Sequence, residues 1–188
     1  MGLTSQIGFI LHAAKIFDHQ SAKMNLYLFM KLLHVLAAFW MISGVVGRGL
    51  AFWQAGRATN VHAVHALLQV SEFLERWAVI PVSMLVLLFG LIITWMQKWP
   101  LFGFLQGASS NWLLLSSILF IGITAFIAPL RLIDRRKQRT RAVEAALAQG
   151  TITPELSAAL NDKVVIRFRT AELIILVVII VLMVTKPF

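Results

Sequence analysis

Apolar residues run almost unbroken through four stretches of the chain, and polar residues enter them at helical spacing. The first stretch covers Leu26 to Gly47. The second is free of charge from Trp77 to Gln97, and its helical pattern begins earlier, near His62. The third covers Trp112 to Leu130, and the fourth covers Val164 to Thr185 and closes on ILVVIIVLMVTKPF. A helix needs about twenty mostly apolar residues to cross a bilayer. Lipid offers no water to backbone N–H and C=O groups, and the alternation of barrel strands is missing, so these stretches are predicted to be helices. The predicted fold class is all-α, an integral membrane four-helix bundle. Pro81 and Pro129 lie near span ends, where a missing N–H is easier to tolerate.

The remaining segments are short. Residues 1–23 contain IGFILHAAKIF, which is amphipathic and too short to span, and an N-terminal interfacial helix is expected there. Met24 opens MNLYLFMKLLHV and is an alternative translation start, so 24–188 is read as the transmembrane domain. The loop 131–163 is hydrophilic, and two short helices are expected between Arg135 and Asp162. In TITPEL, Thr153 suits an N-cap, Pro154 the first helical position and Glu155 the first turn. Gly44, Gly47 and Gly49 are expected to let helices approach closely or to end the first span.

Residues three, four and seven apart share a helix face. On the first span, His34 shares its face with Ala37, Ala38, Met41, Val45 and Arg48. A uniform period on the second places His65, Gln69, Glu72, Arg76, Val79 and Ser83 on one stripe, continued by Gly90, Thr94 and Gln97. The third offers Ser110, Ser117, Thr124 and Arg131. The fourth offers Glu172, Leu176, Ile179, Met183 and Lys186. Small and polar faces of this kind meet inside membrane bundles.

Depth sorts these residues into two layers, at about 1.5 Å per residue. An inner layer holds Arg48, Glu72, Glu75, Arg76, Arg131 and Glu172. Its opposite charges should pair, Glu72 with Arg76 at i, i+4 among them. The layer is read first as glue between helices, with proton or ligand chemistry as the alternative. An outer layer holds His34 near Thr94, Ser116, Ser117 and Met183. A buried imidazole needs a partner, either a hydroxyl of Thr94, Ser116 or Ser117, or a metal or haem iron. Met183, Met41 or Lys31 are the candidates for a second axial ligand in that outer half. A b-type haem is the cofactor this layer would admit, and no metal site is assigned. His62 and His65 are at i, i+3 but lack an obvious third ligand, so a solvated helix start is expected.

Composition agrees with the pattern. Of 188 residues, 59% are hydrophobic and 13% charged, well to the membrane side of soluble domains. There is no cysteine, which removes disulfides and thiolate chemistry. The net charge of +9 is unevenly placed. Lys15, Lys23, Lys31, Lys98 and Lys186 fall on one side, and the other twelve of the seventeen Lys and Arg on the opposite side. The positive-inside rule puts that second side in the cytoplasm and both termini outside. Arg135, Arg136, Lys137, Arg139 and Arg141 are read as a topology determinant lying against anionic lipid headgroups. No aromatic residue interleaves them, so nucleic acid is not an expected partner. Trp95, Trp99 and Trp112 mark the outer boundary, and Trp53 and Trp77 the inner one.

MNLYLFMKLLHVLAAFW, the Glu/Arg opening of the second span and the closing LMVTKP together resemble the bacterial four-helix predicted integral membrane proteins of unknown function. That family is similar to the copper-resistance D membrane domain and to HemJ-type protoporphyrinogen oxidases. The likeness covers about Met24 to Pro187, and its strongest motif is K-x-L-H, Lys31 to His34, followed by Trp40. It implies a bacterial inner membrane and a haem-ligand role for His34. In the oxidases a lysine on a later helix also matters, and this chain has none between Lys31 and Lys98. No complete catalytic constellation is present. The leading expectation is a non-catalytic accessory or scaffold subunit packed against other membrane subunits. The alternatives are a haem- or metal-binding redox protein using His34 and a small proton- or ion-coupled transporter.

Overall fold

The computed structural model describes the backbone at 3–122 and 128–187 and side chains at 23–122 and 132–187. Among the described residues the chain is helical, without strands. Helix α1 is Leu3–Ala55. Its buried positions Ala37, Met41, Gly44, Val45, Arg48, Ala51, Phe52 and Ala55 share one helix face, the face predicted from His34 onward. The amphipathic character expected of residues 1–23 rests on side chains that, Lys23 apart, lie outside the described residues.

Helix α2, Val61–Leu74, starts at an N-cap, where Asn60 Oδ1 accepts from the His62 amide at 2.8 Å. It leads without a loop into a π-helical turn, Glu75–Val79, and then into α3, Ile80–Gln97. Pro81 explains the turn. Inside a helix a proline removes one N–H and crowds the carbonyl four residues earlier, and a π turn re-bonds the freed groups. The Ile80 amide accordingly donates to the Glu75 carbonyl. A π turn inserts one extra residue, so the buried face changes register there. Before the turn it is Val61, Val64, Leu68 and Ser71; after it, Val79, Val82, Ser83, Ile93 and Thr94. The uniform stripe predicted through Gln69, Glu72 and Arg76 is therefore wrong by one residue, and those three side chains are exposed.

Gly44 is where α1 meets this turn. A Cβ there would stand 2.8 Å from Ala78 Cβ, so the absence of a side chain sets how near the helices lie. At the far end of α3, Lys98 (φ 54°) closes the helix and a 3₁₀ turn, Gly103–Gln106, reverses the chain. Asn111 Oδ1 accepts from the Phe104 amide at 2.8 Å and fills the space a side chain on Gly103 would need.

Helix α4 is Trp112–Ile121 and α5 is Ala128–Gln149. The predicted third span, Trp112 to Leu130, runs through residues 123–127, which lie outside the described residues. Two short helices were expected between Arg135 and Asp162; instead α5 is long, and only α6, Pro154–Leu160, is short. It begins as predicted, with Thr153 Oγ1 accepting from the Leu156 amide at 3.3 Å. Helix α7, Lys163–Thr185, starts at Asp162.

Among the described residues three stretches are long and apolar enough to cross a membrane: Lys23–Ala55, Val61–Gln97 and Pro154–Thr185. Helix α1 packs on α2 and α3, α4 on α7, and α5 on α6 and α2. Among the described residues two apolar cores result. One, around Ala37, Met41 and Val82, lies between the spans. The other joins Phe52 and Ala55 to Val64, Leu68, Ala146 and Leu156, and so packs α5 and α6 against the arginine-rich end of the bundle.

Candidate functional site

The charged cluster is built around Arg48. Helical spacing puts it on the packed face of α1, and it is only 9% exposed. A buried guanidinium is tolerable only when paired and hydrogen-bonded. Nη1 lies 3.2 Å from Glu75 Oε2, and Nη2 donates to Glu172 Oε2 on α7. The π turn is what aims Glu75 inward. Its second oxygen accepts from Arg136 Nη2, so one carboxylate bridges guanidinium groups of α1 and α5. Arg135 pairs with Asp162, whose other oxygen caps α7 by accepting from the Val164 amide at 2.8 Å. Arg139 Nη2 stands 3.5 Å from Glu72 Oε1. Burial pushes the Arg139 guanidinium below its ordinary pKa, and the Glu72 carboxylate opposes that shift.

Arg169 differs from these. Its Nη1 donates to the Arg48 carbonyl at 3.2 Å, a carbonyl that also accepts from Ser71 Oγ at 3.1 Å. Its guanidinium carbon lies 4.1 Å from the centroid of the buried Phe52 ring, a favourable cation–π distance. Arg139 approaches the same ring at 5.3 Å. Among the described residues no carboxylate lies within ion-pair reach of Arg169.

His34 lies one face-length further along α1. Its Nδ1 donates to the Val86 carbonyl at 3.0 Å, which ties α1 to α3 and leaves Nε2 as the acceptor nitrogen. Gly90 makes the approach possible, because a Cβ there would come within 3.2 Å of His34 Cε1. The hydroxyl partners expected for His34 are engaged elsewhere. Thr94 donates to the Gly90 carbonyl, Ser116 to Trp112 and Ser117 to Leu113, each inside its own helix. Met183 is half-buried on α7. At the opposite end from Arg48, Trp99 and Trp112 meet edge to face with centroids 5.5 Å apart. Lys186 Nζ sits 4.3 Å from one ring centroid and 5.4 Å from the other.

Of the predicted inner layer, the structure brings Arg48, Glu75 and Glu172 into contact. Glu72 is exposed and pairs with Arg139 rather than with Arg76, which is itself exposed. The Arg131 side chain lies outside the described residues. Of the basic run, Arg135, Arg136 and Arg139 pair with carboxylates at the bundle end, Arg136 from an exposed position, while Lys137 and Arg141 are exposed. His65 Nε2 is 3.3 Å from Gln69 Nε2, and among the described residues no three His, Asp or Glu side chains converge as a metal site would require. Two features escaped sequence reasoning. The Val86 acceptor is a backbone atom and leaves no trace in residue identities. Arg169 did leave one: it precedes Glu172 by three positions and so shares its face.

The chain matches the family described as predicted integral membrane protein (DUF2269) over residues 28–187. No curated protein and no solved structure matches it.

Proposed function

The chain belongs to that family of integral membrane proteins, and from this premise we propose that it is a non-catalytic accessory or scaffold subunit of a larger inner-membrane assembly. One observation carries the reading. Glu72, Glu75, Asp162 and Glu172 are each held by an arginine from another helix. A carboxylate that ferries protons must exchange its partner, whereas these fix α1, α2, α5 and α7 against one another. The bundle end is thus organised for rigidity. Beyond it, α7 shows a long apolar face, with Val177, Val181 and Val184 at least half exposed, available to lipid and to neighbouring subunits.

Four crossings with both termini outside belong to the same reading. Trp112 touches Lys186 and Trp99 at one end of the bundle, and Arg136 pairs with Glu75 at the other. The sequence from Trp112 to Arg136 is longer than the roughly twenty residues a crossing needs. The arginine-rich end is then cytoplasmic by the positive-inside rule.

Extraction of native membranes with a mild detergent tests the proposal. The expected result is comigration with a larger assembly and unchanged proton permeability of reconstituted vesicles on Glu172→Gln. Migration as a lone chain, together with a proton flux that Glu172→Gln abolishes, would instead assign transport.

A second reading is favoured by His34. An imidazole that donates Nδ1–H to a backbone carbonyl has the tautomer and fixed ring orientation typical of a metal-ligating histidine, with Nε2 as the ligand atom. Under this reading the protein holds a b-type haem. A Soret band in purified protein, lost in His34→Ala, is its signature. Colourless protein from haem-supplemented cells excludes it.

A further inference from the structure

We propose that the cleft at the arginine-rich end binds the phosphate of an anionic phospholipid headgroup, with Arg169 as its principal contact. The cleft is a cavity of about 150 Å³, where a single water needs only about 10–15 Å³. Five guanidinium groups line it, from Arg48, Arg135, Arg136, Arg139 and Arg169, against the carboxylates of Glu75, Asp162 and Glu172. Adding Glu72, which reaches Arg139 from outside, still leaves one of the five guanidinium cations without an ion pair among the described residues. That cation is Arg169.

Glu75 and Glu172 attract Arg169 only from beyond ion-pair distance, so its partial burial is incompletely compensated, and an anion that enters from outside supplies the missing close partner. Arg169 is prepared for one. Phe52 supports its guanidinium from one side, and the Arg48 carbonyl takes one of its five N–H donors. The planar fork that remains matches two phosphate oxygens. The other wall of the cleft says where the phosphate comes from. Ile80 and Met84 of α3 and Phe168 of α7 line it, and Ile80 and Met84 are more than half exposed. A soluble phosphate ester has no use for that apolar flank, whereas an acyl chain lies along it while its headgroup reaches the arginines. Basic pockets between membrane helices on the positively charged side are a recurrent headgroup site. The inference does not depend on the accessory reading.

The test uses the full chain in maltoside micelles and follows thermal unfolding with three probes: dioleoylphosphatidylglycerol, dioleoylphosphatidylcholine and inorganic phosphate. Phosphatidylglycerol, a hundredfold above its dissociation constant, should raise the midpoint by roughly 5–10 °C, and phosphatidylcholine should not. Arg169→Gln should lose most of that rise, and Arg141→Gln, in the exposed part of the basic run, should keep it. Equal responses to the two lipids, or equal losses in the two variants, would overturn the proposal. A full rise with inorganic phosphate alone would overturn the lipid assignment in favour of a soluble phosphate compound. If Arg169→Gln does not fold, native mass spectrometry of the unaltered chain decides. Preferential retention of one phosphatidylglycerol supports the site, and indiscriminate retention of both lipids overturns it.

Discussion

A guanidinium enclosed by helix backbones has few acceptable substitutes. Arg48→Gln leaves Glu75 and Glu172 facing each other across the gap that Arg48 filled, so a loss of about 3–5 kcal/mol is expected in detergent unfolding titrations. Glu172→Gln introduced beside it should return part of that loss, because it removes one of the stranded charges. Strict additivity of the two changes would show that the pair does not interact. Gly44→Ala forces a methyl against Ala78 and should cost about 1–3 kcal/mol by the same measurement. The sequence announced both positions, since a charge and a glycine on the small-residue face of an apolar helix must be packed against something. It did not announce the partner of His34. Hydroxyls were the visible acceptors at that depth, but serine and threonine in membrane helices can satisfy themselves on their own backbone, as Thr94, Ser116 and Ser117 do.

A single extra residue in a helical turn changes which side chains a helix conceals. The π turn at Glu75–Val79 does this, and a constant 3.6-residue period cannot anticipate it, so the second-span stripe was legible after Val79 and misplaced before it. Pro81 was the available signal, because a proline within a continuous helix has to be accommodated by the turn ahead of it. The chain contains no cysteine, so introduced thiols read this register without background. Ser71→Cys should resist a soluble maleimide and Glu72→Cys should react readily; an uninterrupted α-helix would reverse the order. The cap of α6 was fully legible, since Thr153, Pro154 and Glu155 have no better use in that order. Thr153→Ala should cost about 1 kcal/mol, measured as a lower melting temperature.

For the molecule as a whole, hydropathy made the all-helical membrane class legible, while the association of α5 and α6 with the bundle end was hidden. That association depends on Val143, Ala146, Leu156 and Leu160 finding Phe52 and Val64 far away in sequence, and local pattern does not encode distant pairing. Topology is open to the same thiol chemistry: Thr59→Cys and Gln149→Cys should label from the cytoplasm, and Gln106→Cys only from the opposite side. Labelling of Thr59→Cys and Gln149→Cys from different sides would contradict the proposed four-crossing arrangement. The contribution of α7 has a consequence for biogenesis. Domains form from the N-terminus as the ribosome delivers them, and α7 emerges after the helices it packs against. It brings Glu172 to Arg48 and Lys186 to its two tryptophans, so until α7 arrives the earlier helices wait with Arg48 short of one of its two carboxylate partners and an aromatic cradle vacant. Nascent chains stalled before residue 163 should therefore be prime substrates for membrane proteases, and completion of α7 should act as the latch that ends that exposure.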